Sequence, residues 1–402
     1  MKSEAAAAPI DQKFPTDTPF QTGKVLLISL CHFIHDVFSS FLSPLLPLLI
    51  EKLSLSMTRA GLLSTVMQIP AIFNPIIGVW VDRLSVRWFI ILAPSLTAVP
   101  MCLLGLAPNY AVLLFLLFVA GISVSLFHVP APVMVAKCSG PHKGRGMAFF
   151  MVGGEFARTV GPMAAVGAVS LLGLEGFYPI MLVGLASSAW LFVKFKDVPI
   201  RQEGRRDISL KGTWGEVRSL MLPLAAILTA RGFMHAAIVT FLPTYITQQA
   251  GALWLAGMSL SLVEGAGVAG VMTAGPLSDR FGRRRVLMIC LVSAPFLLMA
   301  FVVLGGWIRY VALLLTGFTL ISTTPVMLAM IQEHPSSSPS AANGIFMMAL
   351  FLARSSVTVL VGFIADLIGL HNTFLLSAIL GLAGIPFIAM LPKKTGAQLH
   401  NR

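Results

Sequence analysis

The chain has 402 residues, of which 56% are hydrophobic and only 11% are charged, whereas soluble domains carry about 25% charged residues. This composition excludes an ordinary soluble protein and predicts an all-α integral membrane protein. Apolar runs of about 20 residues recur along the chain, and each is long enough to cross roughly 30 Å of hydrocarbon as a helix. The net charge of +12 would fit a nucleic-acid-binding protein, but the basic residues are spread between the apolar runs.

In chain order, the sequence predicts a polar tail, twelve membrane-spanning helices in two sets of six, and a polar linker between the sets. The tail covers 1–23, the linker 195–218 and a second tail 392–402. The two six-helix halves then cover 24–194 and 219–391. The twelve predicted helices are 24–50, 58–80, 88–106, 110–136, 146–172, 176–194, 219–246, 253–278, 286–306, 308–332, 342–366 and 372–391.

The basic residues indicate which side of the membrane each loop faces. If the first tail is cytoplasmic, only Lys52, Arg59 and Arg309 fall on the opposite side and three arginines fall within helices. The other 22 of the 28 lysines and arginines then lie on the cytoplasmic side. Cytoplasmic loops of membrane proteins carry this excess of positive charge. The bias predicts that both termini are cytoplasmic, and it explains the basicity without nucleic acid as a partner.

The sequence contains no motif for enzymatic chemistry. Its four cysteines are scattered without CxxC spacing, which indicates neither a disulfide framework nor a metal site. Walker A, metal-ligand and nucleophile motifs do not occur. We therefore expect neither an enzyme nor a cofactor, and we expect an ion gradient to supply any energy that the protein uses.

The two halves resemble each other in sequence. The stretch FIHDVFSSFLSP in the first predicted helix aligns with FMHAAIVTFLPT in the seventh, which places His35 opposite His235. Asp36 has no counterpart, because Ala236 stands in its place. Two homologous six-helix halves are the architecture of secondary transporters, which bind their substrate near the bilayer midplane and rock about it.

A charged loop motif occurs at the same place in both halves. GPLSDRFGRRR at 275–285 fits the signature G-x-x-x-D-R-x-G-R-R, and GVWVDRLSVR at 78–87 is a degraded copy. On these motifs the chain resembles the major facilitator superfamily, which implies Asp–Arg pairs that hold one conformation of a cytoplasmic gate. Each glycine is expected to permit close helix approach, and loop charges that only set the topology are the alternative. The implied gating residues are Gly78, Asp82, Arg83, Gly275, Asp279, Arg280, Arg283 and Arg284.

Within this superfamily, the stretch HFIHDVFSSFLSPLLPLLIEKLSL at 32–55 resembles the start of the fosmidomycin-resistance-type exporters. The likeness extends over about 24–391. Members resembling this chain are proton-driven bacterial exporters, and the substrate that names them is a small phosphonate antibiotic. The resemblance thus implies a bacterial inner-membrane location, a proton gradient as energy source and a substrate class.

Ten ionisable residues fall near the middle of the predicted helices. An Asp or Arg at a helix centre costs about 2.5–3.5 kcal/mol, so the three acids and three arginines would cost roughly 15–20 kcal/mol if they faced lipid. We therefore expect them to line an interior cavity or to pair with each other. The ten residues are Asp36, Glu155, Glu264, Arg158, Arg231, Arg354, His32, His35, His128 and His235.

Helical spacing places several of these residues on common faces. His32, His35 and Asp36 follow i, i+3 and i+4 in the first helix, and Glu155 and Arg158 follow i and i+3 in the fifth. We predict that Asp36, Glu155 and His35 couple transport to protons, because changes in water access and in partner switch the protonation of a carboxylate. The alternatives are permanent pairs of Asp36 with a histidine and of Glu155 with Arg158.

The arginines predict where an anionic substrate would bind. A guanidinium binds a phosphonate or carboxylate through two parallel hydrogen bonds, and Arg231 and Arg354 have no obvious partner in their own helices. Cross-helix pairs of these arginines with Glu264 or Asp36 are the alternative. The predicted substrate-binding residues are Arg158, Arg231, His235, Glu264, Arg354, His32 and His128.

Together these patterns predict a proton-coupled secondary transporter that exports a small polar or anionic compound by alternating access. Its expected partners are that small molecule, protons and membrane lipid, and it is expected to be a monomer. An importer of an organic anion in symport with protons stays open, because the sequence gives no direction. A non-transporting membrane sensor or enzyme on the same scaffold is the other alternative.

Overall fold

The computed structural model describes residues 19–74, 86–140, 142–195, 210–336 and 339–391, and almost all of them are helical. Within these ranges fifteen α-helices follow one another: α1 Thr22–Ser39, α2 Leu42–Leu53, α3 Met57–Gln68, α4 Val86–Cys102, α5 Tyr110–His128, α6 Pro130–Cys138, α7 Lys143–Leu172, α8 Met181–Lys194, α9 Leu210–Ala236, α10 Leu242–Ala250, α11 Leu253–Phe281, α12 Arg283–Val303, α13 Ile308–Glu333, α14 Pro339–Leu382 and α15 Ile385–Ala389.

These helices form the predicted all-helical membrane bundle of two halves, α1 to α8 and α9 to α15. Eight spans in the described residues are long and apolar enough to cross a membrane, and the last of them, Gly344–Ala389, holds two crossings. Its chain turns at Gly369, whose positive φ of 76° suits glycine. The second, fifth and sixth crossings are α3 with the 3₁₀ turn that follows it, α7, and the shorter apolar helix that contains α8.

Both halves begin with a helix that is interrupted at an equivalent position. In the first half α1 ends at Ser39 and α2 begins at Leu42, and in the second half the π-helical segment Ala237–Phe241 separates α9 from α10. Pro44 and Pro243 follow these interruptions, and a proline lacks the N–H that the regular helical hydrogen bond needs. The sequence repeat is therefore also a repeat in backbone geometry.

The first helix of the second half begins earlier than the sequence predicts. Helix α9 starts at Leu210, nine residues before the predicted start at 219 and inside the predicted linker. Its first turns are amphipathic, because Thr213 and Val217 are buried while Trp214 and Glu216 are exposed. A search for continuous hydrophobicity does not find a helix of such mixed polarity. The remaining linker residues 196–209 lie outside the described ranges.

Small residues bring the two halves into contact. A Cβ added to Gly61 on α3 would lie 2.7 Å from the carbonyl oxygen of Thr358 on α14, and one added to Gly257 on α11 would lie 2.7 Å from the side chain of Val166 on α7. Helices without side chains at such positions pack closely, as in other membrane bundles. The two halves therefore meet where α3 packs against α14 and where α7 packs against α11.

The halves are sealed at the distal face, defined as the face opposite the starts of α1 and α9. There the Asp366 carboxylate of α14 accepts hydrogen bonds from the backbone N–H groups of Met57, at 2.6 Å, and Thr58, at 2.8 Å. It thus caps the N-terminus of α3 across the boundary. A buried apolar cluster shared by both halves lies beside it and includes Phe41, Leu45, Leu49, Phe241, Leu242 and Ile246.

Candidate functional site

A carboxylate surrounded by three histidines lies midway along the first crossing. Asp36 on α1 is only 5% exposed. Its Oδ2 lies 3.3 Å from Nε2 of His32, one turn earlier, and its Oδ1 lies 2.8 Å from Nδ1 of His35. His128, at the end of α5, places its Nε2 3.5 Å from Oδ1. We call these four residues the Asp36 cage.

The backbone fixes the orientation of two rings of the Asp36 cage. Nδ1 of His32 lies 2.8 Å from the carbonyl oxygen of Phe150, and Nδ1 of His128 lies 2.9 Å from that of Val124. A carbonyl oxygen only accepts, so Nδ1 of each ring donates and Nε2 keeps its lone pair while the ring is neutral. The two Nε2 atoms lie 3.3 Å apart and both face the Asp36 carboxylate. Three acceptors therefore converge on one point.

Aromatic rings and a glycine hold the Asp36 cage in place. His32 stacks on Phe150 with ring centroids 4.0 Å apart, and His35 stacks on Phe127 with centroids 4.7 Å apart. Phe150 belongs to α7, whose Gly154 packs directly against the His32 ring. Helix α7 can approach α1 this closely because position 154 has no side chain.

Replacing Gly154 with alanine is expected to destabilise the protein. The new Cβ would overlap the His32 ring, and overpacking of a filled interior typically costs about 1–3 kcal/mol. The matched control is Gly167→Ala on the same helix, where a Cβ meets no atom within 4 Å and alanine favours the helix by about 0.5–1 kcal/mol. Thermal unfolding of the two purified variants is the measurement, and equal melting temperatures would contradict the described contact.

A second charged group lies on α7 beside Gly154. Glu155 and Arg158 form an ion pair through Oε1 and Nη2, and their side chains are 13% and 42% exposed. The Arg158 guanidinium also interacts electrostatically with Asp36 and with Glu264, which belongs to α11 in the second half. It therefore lies between acids from both halves and is the more accessible partner of its pair.

Arg354 on α14 and His235 on α9 form the corresponding group in the second half. Nη2 of Arg354 donates to Nε2 of His235, so this ring accepts the bond in its neutral form. Glu264 interacts electrostatically with Arg158 and Arg354, and it makes no hydrogen bond within the part of the chain that the structure describes. Among the described residues, the interior thus contains a guanidinium that donates to a neutral ring and a carboxylate to which no group donates a hydrogen bond.

The third arginine, Arg231, has different hydrogen-bond partners from the other two. Arg231 on α9 is 3% exposed, and its guanidinium donates to the Leu320 carbonyl oxygen at 3.2 Å, to the Thr323 hydroxyl and to the Thr324 hydroxyl at 2.9 Å. These oxygens belong to α13 and carry no charge. The sequence groups Arg231 with Arg354 as a substrate ligand, whereas the structure places it between two helices of the second half. The neighbouring pair of threonines in an apolar helix was the only sequence signal for this arrangement.

The gating motif of the second half forms a polar network at the face opposite the distal seal. Arg283 pairs with Asp279, and its Nη2 lies 2.7 Å from Oε1 of Glu333. Arg280 and Arg284 are not part of this network in the described contacts. Gly275 does not provide the expected close helix approach to any described residue, since a Cβ there would meet none of their atoms within 4 Å. The glycine at position 282 of the motif has a conformational role, because its φ of 94° suits glycine.

In the corresponding motif of the first half, the predicted gating residues Gly78, Asp82 and Arg83 lie outside the described residues. The other predicted residues fall into two groups. His32, His35 and His128 join Asp36, so the structure brings two predicted substrate ligands to a predicted proton site. Glu155, Arg158, Glu264, Arg354 and His235 lie where the halves meet.

Comparison with known proteins agrees with this architecture. The chain is 23% identical over 370 residues to the fosmidomycin resistance protein of Escherichia coli (strain K12), covering 89% of this chain and 90% of that one. It is 26% identical over 307 residues to the multidrug resistance protein MdtG of Salmonella choleraesuis (strain SC-B67), covering 71% of this chain and 74% of that one.

Solved structures show the same fold at lower sequence identity. The nucleoside transporter NupG superposes with a TM-score of 0.72 at 16% identity, covering 91% of this chain and 98% of that one. A D-xylose-proton symporter gives a TM-score of 0.73 at 15% identity, covering 94% of this chain and all of that one. The family profile described as Major Facilitator Superfamily matches residues 28–358 and, in a second match, 264–401. The chain is therefore a multi-pass membrane transporter for small molecules that belongs to the major facilitator superfamily.

Proposed function

We propose that the protein is a proton-coupled exporter of a small polar compound that carries an acid group, of the phosphonate class, and that it works by alternating access. The observation that carries the proposal is that Arg158 and Arg354, one from each half, both interact electrostatically with Glu264. The names of the relatives from Escherichia coli and Salmonella support export and a drug-like substrate. We place the protein as a monomer in a bacterial inner membrane with both termini in the cytoplasm.

The two accessible guanidiniums provide the anion site in this proposal. Arg354 donates to a neutral ring, so its charge is available to an acid group that enters between the halves. Arg158 pairs with Glu155, and its side chain is also 42% exposed. A phosphonate or carboxylate could bridge the two arginines through charge-assisted hydrogen bonds, which are the strong ones in proteins. Arg231 would hold α9 against α13 and would thereby keep α9, which carries His235, in position beside Arg354.

Exchange of substrate for protons requires that the two compete for one group. An anion alone would not compete, because protonation of Glu155 frees Arg158 and therefore favours anion binding. A compound that also carries a hydroxyl or amine donor would compete, since its donor would occupy the carboxylate of Glu264 or Glu155 that a proton would otherwise take. We therefore propose a substrate with both an acid group and a donor, as hydroxy- and aminophosphonates have.

In the proposed cycle the proton moves through the Asp36 cage and Glu155. Asp36 receives a hydrogen bond from His35 and is connected to the accessible His128, whose side chain is 36% exposed. The cage is therefore in contact with the same interior as Arg158. Binding of a proton there and release of substrate from the arginines would change the charge between the halves and allow them to rock.

The importer of an organic anion remains a second candidate, and the neutral partner of Arg354 favours it. Without a donor on the substrate, proton and anion would bind cooperatively and move in the same direction. The two candidates predict opposite phenotypes.

Expression in a bacterial host that lacks its main efflux systems tests the proposal. With fosmidomycin and simple aminophosphonates as probes, an exporter is expected to raise the inhibitory concentration above that of cells with an empty vector. An importer would lower it, because the compound would then accumulate. An unchanged inhibitory concentration for every probe, at membrane levels confirmed by immunoblot, would contradict the phosphonate class.

A further inference from the structure

We propose that the Asp36 cage is a binding site for a divalent transition-metal ion of the Zn²⁺ type, held by Nε2 of His32, the Asp36 carboxylate and Nε2 of His128. Binding of the ion follows from the geometry alone. Its consequence, arrest of transport, rests on the proposed role of the cage in proton movement. The sequence showed no metal-ligand spacing, because one ligand comes from α5, far along the chain.

The spacing of the three ligand residues is close to that around a tetrahedral ion. Nε2 of His32 lies 3.3 Å from Nε2 of His128 and 3.3 Å from Oδ2 of Asp36, and Nε2 of His128 lies 3.5 Å from Oδ1 of Asp36. All three ligand atoms lie within 4.8 Å of one another. Bonds of about 2.0–2.1 Å to a tetrahedral Zn²⁺ require neighbouring ligand atoms to be about 3.3–3.4 Å apart. The two rings face different oxygens of the Asp36 carboxylate, so an ion fits if the carboxylate binds through both oxygens or turns until one oxygen faces both rings.

The hydrogen bonds around the cage leave the two Nε2 atoms and the Asp36 carboxylate as acceptors that face one another, an arrangement that a cation would stabilise. The Nδ1 atoms of His32 and His128 donate to carbonyl oxygens, so the neutral rings direct lone pairs at each other and at a carboxylate. Such convergence is unfavourable until a proton or a metal ion lies between the acceptors. A carbonyl acceptor on the far ring nitrogen is also the outer-shell arrangement that orients metal-binding histidines.

The surroundings of the cage favour a site with one free position. His35 donates from Nδ1 to Oδ1 of Asp36 at 2.8 Å, which fixes the carboxylate without occupying the point where the three ligands meet. His128 is partly accessible, with 36% of its side chain exposed, so a water molecule or a substrate atom could supply the fourth ligand. Two imidazoles with one carboxylate favour Zn²⁺, Co²⁺ or Ni²⁺ over Mg²⁺ or Ca²⁺. The charge of Arg158 acts on His128 and opposes the ion, but Glu155 offsets it.

Metal titration of the intact protein tests the site. The protein is purified with an affinity tag free of histidine, placed in lipid nanodiscs and titrated with Zn²⁺ against a fluorescent chelator, with Mg²⁺ as a second probe. We expect one Zn²⁺ per chain, no competition from Mg²⁺, and at least about tenfold weaker binding in His128→Gln, as for the loss of a contact that supports a metal site. His371→Gln is the matched control, because this histidine is exposed at the distal face and contacts Tyr245.

Two further measurements distinguish loss of the metal site from misfolding of the variant and from zinc binding elsewhere. Melting temperatures show whether His128→Gln is folded, and X-ray absorption at the zinc edge of the wild-type complex is expected to report only nitrogen and oxygen ligands. Equal affinities of wild type, His128→Gln and His371→Gln, or a sulfur-containing shell, would overturn the site. In proteoliposomes Zn²⁺ is expected to stop transport and EDTA to restore it. If zinc binds in the cage and transport continues, the proposed arrest of transport is wrong. The titration tests metal binding by itself, so its result is valid even if the protein transports none of the tested compounds.

Discussion

Replacing Asp36 with asparagine is expected to reduce proton-driven transport in proteoliposomes to the level of protein-free vesicles. Asparagine has nearly the same size and keeps an acceptor for His35, so the packing of the Asp36 cage is retained. An amide does not take up a proton in the pH range of the assay, so the cage can no longer exchange one. The measurement is accumulation of a labelled phosphonate under an imposed pH gradient.

The same variant is expected to retain exchange of labelled for unlabelled substrate at equal pH, because exchange needs no net movement of protons. Loss of both activities would indicate a structural role for Asp36, and retention of both would remove it from the coupling. Glu51→Gln is the matched control. Glu51 is an exposed carboxylate at the end of α2, in the same crossing as Asp36, and its replacement is expected to leave both activities unchanged.

Replacing Arg354 with glutamine is expected to weaken binding of an acidic substrate by about 10- to 150-fold. A hydrogen bond to a charged group contributes about 1.5–3 kcal/mol, which corresponds to this range of dissociation constants. Glutamine can still donate to His235, so the neutral contact between α14 and α9 is retained while the charge is lost. Equilibrium binding of a labelled phosphonate to the purified variant is the measurement.

Arg59→Gln serves as the control for the loss of one positive charge. Arg59 is exposed at the distal face, where its guanidinium lies 5.7 Å from the centre of the Tyr110 ring and its backbone carbonyl oxygen accepts a hydrogen bond from the Tyr110 hydroxyl. Its replacement is expected to leave binding unchanged. A substrate affinity of Arg354→Gln that equals the wild-type value would mean that the acid group binds elsewhere, and Arg158 would then be the next residue to replace.

The polar stripe of the first crossing could be predicted from the sequence, because it depends on one helix only. Helical spacing places His32, His35 and Asp36 on one face, and the structure agrees. Periodicity carries no information about which residue of another helix meets that face. The sequence therefore assigned His128 to substrate binding, whereas the fold brings the end of α5, and with it His128, to within 3.5 Å of the Asp36 carboxylate.

The three arginines also show that the sequence of one helix does not reveal which residues of a neighbouring helix a side chain meets. Their cost in lipid predicts that they face the interior, and all three do. Whether an interior arginine faces a cavity or a neighbouring helix depends on what that neighbour offers. Hydroxyl and carbonyl oxygens of α13 hold Arg231, whereas the Arg354 guanidinium donates to a neutral ring and interacts electrostatically with Glu264. The start of α9 at Leu210 was missed for a different reason, since its first turns mix polar and apolar residues.

The central claim is that one interior site exchanges protons for an acidic substrate in opposite directions. Wild-type protein in vesicles that contain a pH-sensitive dye and a high concentration of phosphonate tests it directly, with equal pH on both sides and the membrane potential clamped. When the vesicles are diluted and substrate leaves, the exchange mechanism predicts that the lumen becomes more acidic than in protein-free vesicles. A lumen that becomes more alkaline, or that keeps its pH while substrate leaves, would contradict the mechanism.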